Sequence, residues 1–283
     1  MRAYFFYLVA LVCLIFNASE GFSQQTSYQR KRIALGSDTV FIDIFKKSGA
    51  EIHYVHVHEN EQTALEAGLE VLQEYGGKLI TLQHSKDTLK NRFITFRIGN
   101  DSYRFDPNRI YSRDTAVLLK TLVSNRKDRK VTNQAIGEVM KLADTICSEI
   151  REARLILSIH NNKNEPVKLA RRSWFQDTII DESFSILSYA RKFEYQSSSN
   201  KSCSEIYINP EINNSEFFIV TERHDFESLF KKRYSVVLQN ENPVDDGSMS
   251  VFAKLNSIRY INAEAKMGKL AEQLNMLHVF LKD

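Results

Sequence analysis

Short apolar runs alternate along this chain with stretches in which apolar residues recur every three to four positions. Residues 40–45 (Val-Phe-Ile-Asp-Ile-Phe) and 52–57 (Ile-His-Tyr-Val-His-Val) read as strands. Residues 61–75 then read as a helix, with Leu65, Gly68, Leu69 and Leu72 on one stripe and Gly76-Gly77 as its stop. Residues 78–83 and 92–98 are further strands. Thr132 or Asn133 can cap a second helix, in which Ala135, Val139, Leu142, Ala143 and Ile146 share a face. Residues 155–159 form a nearly continuous apolar run, the pattern of a strand covered on both faces. Residues 217–239 mix strand and helix signals, residues 259–263 read as a strand, and Leu270, Leu274, Leu277 and Leu281 mark a closing helix. Strands alternating with helices predict an α/β sandwich with a mostly parallel sheet, whose site lies at the carboxyl ends of the strands.

The first residues stand apart from this pattern. Arg2 supplies a positive start, residues 3–16 are an unbroken apolar or aromatic run, and small residues follow at Ala18, Gly21 and Ser23. The run is shorter than the roughly 18–20 residues that span a bilayer, so residues 1–23 read as an export signal and residues 24–283 as one domain of the exported, periplasmic or secreted protein. No later stretch is long and apolar enough to span. The formal charge of +3, from 38 Lys and Arg against 35 Asp and Glu, is too small and too evenly mixed to indicate a nucleic-acid surface. Removing the signal takes away Cys13 and leaves Cys147 and Cys203, either as a disulfide or as two buried thiols.

Where the strand at 52–57 ends, the chain reads His56-Val57-His58-Glu59-Asn60-Glu61. An H-x-x-E pair is weak by itself, and His56/Glu59 and His224/Glu227 are two more. His58/Glu61 differs because Glu61, four residues before Leu65, continues the apolar stripe of its helix. A carboxylate directed at a core is expensive unless a cation meets it, and zinc held by His58 and Glu61 would be such a cation. His160, at the end of the 155–159 strand, is the natural third ligand. Two histidines and a glutamate with one open position is a recurring catalytic zinc arrangement. His56 is a partner behind the ligands or an exposed residue; His84 and His278 are structural.

Three ordered stretches, His58-Glu59-Asn60-Glu61, Phe105-Asp106-Pro107-Asn108-Arg109 and Ser158-Ile159-His160-Asn161-Asn162, resemble the zinc carboxypeptidase superfamily, including its aspartoacylase and succinylglutamate desuccinylase branch. The likeness covers about residues 50–270. It implies a carboxypeptidase-like three-layer α/β sandwich with a mixed, mostly parallel central sheet. It also implies Zn2+ held by His58, Glu61 and His160, with Asn108 and Arg109 gripping a substrate carboxylate and Arg92 as a second arginine. Glu264, in Tyr260-Ile261-Asn262-Ala263-Glu264-Ala265, matches the general base on a late strand. The implied reaction is hydrolysis of an amide next to a carboxylate, in a peptide or an N-acyl amino acid. The chain is shorter than digestive carboxypeptidases, and neither their substrate-pocket residues nor their mobile tyrosine can be aligned. A non-catalytic exported ligand- or peptide-binding protein on the same fold is the alternative. The His-x-His of 56–58 is a near miss to a cupin motif, but the segment after it is helical, and the further histidines of an amidohydrolase barrel are lacking.

Overall fold

In a computed structural model, residues 25–86, 89–125, 129–162, 168–172, 177–181, 185–195 and 202–281 are described. The expected export signal at 1–23 lies outside them. Among the described residues no helix is long and apolar enough to cross a membrane.

The order of elements is β1 (Ser27–Leu35), β2 (Asp38–Lys47), β3 (Ile52–His56), α1 (Gln62–Tyr75), β4 (Gly77–Gln83), β5 (Ile94–Ile98), β6 (Asp101–Phe105), α2 (Thr115–Thr121), β7 (Val123–Ser124) and α3 (Arg129–Ile150). There follow β8 (Leu155–Asn162), β9 (Lys168–Arg172), β10 (Asp177–Asp181), α4 (Ile186–Tyr195), β11 (Cys203–Tyr207), β12 (Phe217–Val220), α5 (Arg223–Lys231), β13 (Val236–Gln239), α6 (Met249–Leu255), β14 (Tyr260–Lys266) and α7 (Leu270–Leu281).

Nine strands form one sheet in the order β1-β2-β4-β3-β8-β14-β12-β13-β11, while β5-β6-β7 and β9-β10 form small sheets of their own. The chain is thus α/β with a large mixed sheet. The expectation of a mostly parallel sheet is corrected: β4, β3, β8 and β14 run parallel in succession, as do β12 and β13, and the other four pairings are antiparallel. The reason is local at one edge. Only Gly36 and Ser37 separate β1 from β2, and so short a link can only join antiparallel neighbours. Gly36 makes the turn with φ of +58°, and a Cβ there would lie 2.1 Å from the carbonyl oxygen of Arg97.

Alternate residues of the central strands feed two cores. Tyr54, Leu157 and Ile159 pack on one face with α1, α5 and α7; Val55, Ile156 and Tyr260 pack on the other with α3, α6 and the β5–β6 hairpin. Gly68 sets the closeness of the first face, because a Cβ there would be 3.2 Å from Ile159 Cδ1 and 3.3 Å from Leu79 Cδ1. The buried stripe of α1 is Ala64, Ala67, Gly68, Val71 and Leu72, with Leu65 and Leu69 at its margin, a rotation from the stripe expected. Helix α3 begins at Arg129, ahead of the expected cap at Thr132 or Asn133. The propensity cost of Thr and Asn in a helix interior is well below 1 kcal/mol each, too little to stop a long amphipathic helix. Cys147 and Cys203 are buried in separate hydrophobic clusters and are not joined to each other in this structure.

Candidate metal centre

Three neighbouring parallel strands carry the site. β3 delivers the chain to His58, β8 carries His160 and β14 carries Glu264. Val55 pairs in register with Ser158, and His160 with Glu264. The parallel register points His160 and Glu264 to the same face at the carboxyl ends, where the sequence places the site.

Helix α1 adds Glu61 in an unusual way. Glu61 is the N-cap, yet its side chain makes no capping bond; its carbonyl accepts from Ala64 and Leu65 N while the carboxylate turns inward. The missing cap comes from β8: Asn161 Oδ1 accepts from Ala64 N at 2.7 Å, and Asn161 Nδ2 donates to Gln273 Oε1 of α7 at 2.6 Å. Asn161 N also donates to Glu61 Oε2 at 2.9 Å. One asparagine therefore ties α1, β8 and α7 together at the site, and every group in the knot is buried.

His58, Glu61 and His160 converge. His58 Nδ1 lies 2.8 Å from Glu61 Oε1 and 3.1 Å from His160 Nδ1, and His160 Nδ1 lies 3.1 Å from Glu61 Oε2. One potential ligand atom from each of the three lies within 4.8 Å of the others, and all three residues are buried. The remaining ring nitrogens are committed elsewhere: His58 Nε2 to Asp106 Oδ1 at 2.7 Å, and His160 Nε2 to Ser158 Oγ at 2.9 Å. A carboxylate behind a histidine fixes which nitrogen carries the proton and raises the basicity of the other, a frequent support for metal-binding imidazoles.

The charges are mutually adjusted. Burial alone would hold His58 neutral, but the Glu61 and Asp106 carboxylates outweigh it and raise its pKa. Burial would raise Glu61, yet the two imidazoles hold it well below the usual carboxylate range. Asp106 is likewise lowered against its burial by His58, Arg92 and Asn108 N. Glu264 goes the other way: burial, aided by the Glu61 charge, raises it, and His160, Asn262 and Arg92 only partly offset this. Asn262 Nδ2 donates to Glu264 Oε1 at 2.9 Å.

The other expected residues divide. Arg92 Nη1 donates to Glu61 Oε1, and Arg92 Nη2 lies 3.6 Å from Asp106 Oδ2, so this guanidinium sits against the Glu61 carboxylate of the cluster. Asn108 N donates to Asp106 Oδ1 at 2.8 Å, and Asn108 Oδ1 accepts from Met249 N at 3.4 Å. Arg109 is turned to an ion pair with Asp246. It remains in the electrostatic field that joins it to Tyr189, while Tyr189 in turn feels Glu264. His56 is fully buried, with Nδ1 at 2.8 Å from Thr81 Oγ1 and Nε2 at 3.0 Å from Glu61 O, which removes the exposed alternative. Burial pushes its pKa down to about 4, so it is a neutral prop under Glu61. Glu59, the glutamate of the H-x-x-E pair starting at His56, faces another segment and accepts from His84 N, Ser85 N and Lys90 Nζ. His278 Nε2 lies 3.2 Å from Glu74 Oε2, on α7 and away from the cluster's strands.

The chain matches no protein family, no curated protein and no solved structure. Function must therefore be argued from the site. Sequence reasoning assigned no role to Asp106 or Asn161, although both stand in the stretches it singled out. The available signals were position: Asp106 is two residues before Asn108, and Asn161 directly follows the candidate ligand His160.

Proposed function

We propose that this protein is a zinc-dependent hydrolase that cleaves an amide next to a carboxylate, on a carboxypeptidase-like three-layer sandwich, exported after loss of residues 1–23. The observation that carries the reading is the convergence of His58 Nδ1, His160 Nδ1 and the Glu61 carboxylate in a buried cluster. Two imidazoles and one carboxylate suit zinc, and Asp106 behind His58 gives the donor set the outer support such sites use. When bound, zinc supplies a Lewis acid that polarises the substrate carbonyl and lowers the pKa of a water toward about 7.

The chain's own groups do the rest. Glu264 is the general base: its raised pKa brings it closer to neutral operating pH, and its Oε1 is fixed by Asn262. It takes the proton of the attacking water and returns it to the leaving amine. Arg109, released from Asp246, and Asn108 orient the substrate carboxylate through a planar fork of donors. Arg92, beside Glu61 and Asp106, stabilises negative charge developing on the substrate oxygen.

A second reading, a binding protein without turnover, draws on Arg92, whose cation already meets the Glu61 carboxylate. The two readings separate on Glu264→Gln. We expect that variant to keep stoichiometric zinc and to lose hydrolysis of N-acyl amino acids and C-terminal peptides by about 100-fold or more, as loss of a general base does. A wild-type protein that holds no zinc after equilibration, or a Glu264→Gln variant with unchanged turnover, refutes the reading.

A further inference from the structure

Beside the metal cluster, residues 84–86, residues 91–92 and the β5–β6 hairpin enclose a groove lined by Lys86, Asn91, Arg92, Arg97, Arg104 and Asp38. Four cations there meet one carboxylate among the described lining residues. Asp38 engages Lys86 and, at 3.7 Å, Arg97 Nε. Arg104 is exposed and has no carboxylate partner among the described residues; its guanidinium sits 5.1 Å from the centroid of the Phe93 ring. A guanidinium stacked on a ring keeps its N–H edge available for an oxyanion. Arg92 closes the inner end of the groove, because the same side chain reaches Glu61.

The groove wall is built rather than incidental. Glu59 is fully buried and accepts from His84 N at 3.1 Å, Ser85 N at 2.7 Å and Lys90 Nζ at 2.8 Å. A buried carboxylate with three donors holds those donors in place, so His84, Ser85 and Lys90, the neighbours of Lys86 and Arg92, are organised before any ligand arrives.

We propose that this groove binds an oxyanion carried by the substrate, a carboxylate or phosphate group additional to the carboxylate next to the scissile amide. That the anion belongs to a substrate rests on the hydrolase reading; that the groove binds anions does not. Acidic peptides and acyl groups with an anionic end are the compatible substrate classes, and the shared chemistry is a planar or tetrahedral oxyanion recognised by Arg104, Arg97 and Lys86.

The test is calorimetric titration of the full-length, zinc-equilibrated protein with triglutamate, triglutamine and inorganic pyrophosphate, at about 20 mM and about 150 mM salt. The expected result is binding of triglutamate, pyrophosphate or both, weaker at the higher salt, and none of triglutamine. Preference between the two anions tells carboxylate from phosphate recognition. Arg104→Gln is exposed and leaves the fold intact, and it should weaken binding about five- to tenfold. Adding Lys86→Gln should weaken it further. Arg223→Gln, which breaks an exposed pair between α5 and Glu205 of β11, should change nothing. Equal binding of triglutamine, no binding of either anion, or an unchanged affinity in Arg104→Gln overturns the proposal. Zinc content measured on the same samples separates the two ideas: a protein without zinc that still binds anions through Arg104 keeps the groove and loses the metal reading.

Discussion

Asp106 offers the sharpest test of how the cluster works. Its Oδ1 lies 2.7 Å from His58 Nε2, which holds a proton on Nε2 and makes Nδ1, the nitrogen facing Glu61 and His160, the one that gives up its proton to an ion. Removing such an outer partner costs about 10–100-fold in metal affinity, or about 1.4–2.7 kcal/mol. Asp106→Asn keeps an oxygen that can still accept from Nε2 and should fall at the low end. Asp106→Ala leaves a buried N–H without a partner and frees the ring to choose the other tautomer, so it should reach the high end. Both variants also strip a counter-charge from Arg92, 3.6 Å away, which works in the same direction by leaving a bare cation beside the cluster.

Zinc affinity measured by equilibrium competition against a chelator of known strength reads this directly, with thermal unfolding as a control for the fold. The paired control is Arg92→Gln. Its guanidinium competes for Glu61 Oε1, so its loss should raise zinc affinity by roughly tenfold, opposite in sign to Asp106→Ala. Native zinc affinity in Asp106→Ala, in a protein where His160→Ala abolishes binding, would show that His58 needs no orienting partner and would refute the reasoning.

Three other outcomes follow from the same contacts. Asn161→Ala should cost about 2–4 kcal/mol in denaturant unfolding, because it removes the cap on Ala64 N and leaves buried Gln273 Oε1 unpaired; a loss below 1 kcal/mol would contradict the knot. Gly36→Ala should cost about 2–5 kcal/mol, combining left-handed backbone strain with a Cβ 2.1 Å from Arg97 O, seen as a lower denaturant midpoint. Glu149 is held below its ordinary 4.5 by Lys31 and Lys78 against its burial, so its contribution is present above that value and is lost as pH falls through the lower folded value. Glu149→Gln should therefore be less stable than the native chain by a few tenths to about 1 kcal/mol at pH 7, the difference shrinking below about pH 4; a gap independent of pH would exclude the ionic origin.

The elements that hold the cluster are those whose sequence pattern is strongest. β3, α1, β8 and β14 are buried on both faces or along a clear stripe, so their apolar runs stand out against the chain. The edges are a different case. β1 reads Ser-Tyr-Gln-Arg-Lys-Arg-Ile-Ala-Leu, with its first residues exposed, and nothing in that string distinguishes it from a loop. Charged, exposed edge strands are what keep a sheet from pairing with other chains, and the same property hides them from pattern reading. Because β1 is joined by a tight turn to β2, which does read as a strand at 40–45, missing β1 also meant missing the antiparallel pairing at that edge. The short helices α2 and α6 escaped for want of length, since seven residues hold too few turns to display a period.

The site shows the same division on a smaller scale. His58, Glu61 and His160 could be singled out because metal chemistry restricts which residue types hold an ion, and because a carboxylate directed at a core demands a partner. Asp106 and Asn161 could not, because support is a matter of geometry that many residue types supply. Asp106 reaches His58 across 48 positions and Asn161 reaches Ala64 across 97, distances over which a single sequence carries no contact information. Arg92 is intermediate: it was expected only through the family resemblance, as a second substrate-binding arginine, and the fold sets it against Glu61 and Asp106. On the hydrolase reading, that placement couples the metal to the substrate. A ligand that draws Arg92 away from Glu61 frees the carboxylate for the ion, and an ion on Glu61 frees Arg92 for an anion, so each should tighten the binding of the other.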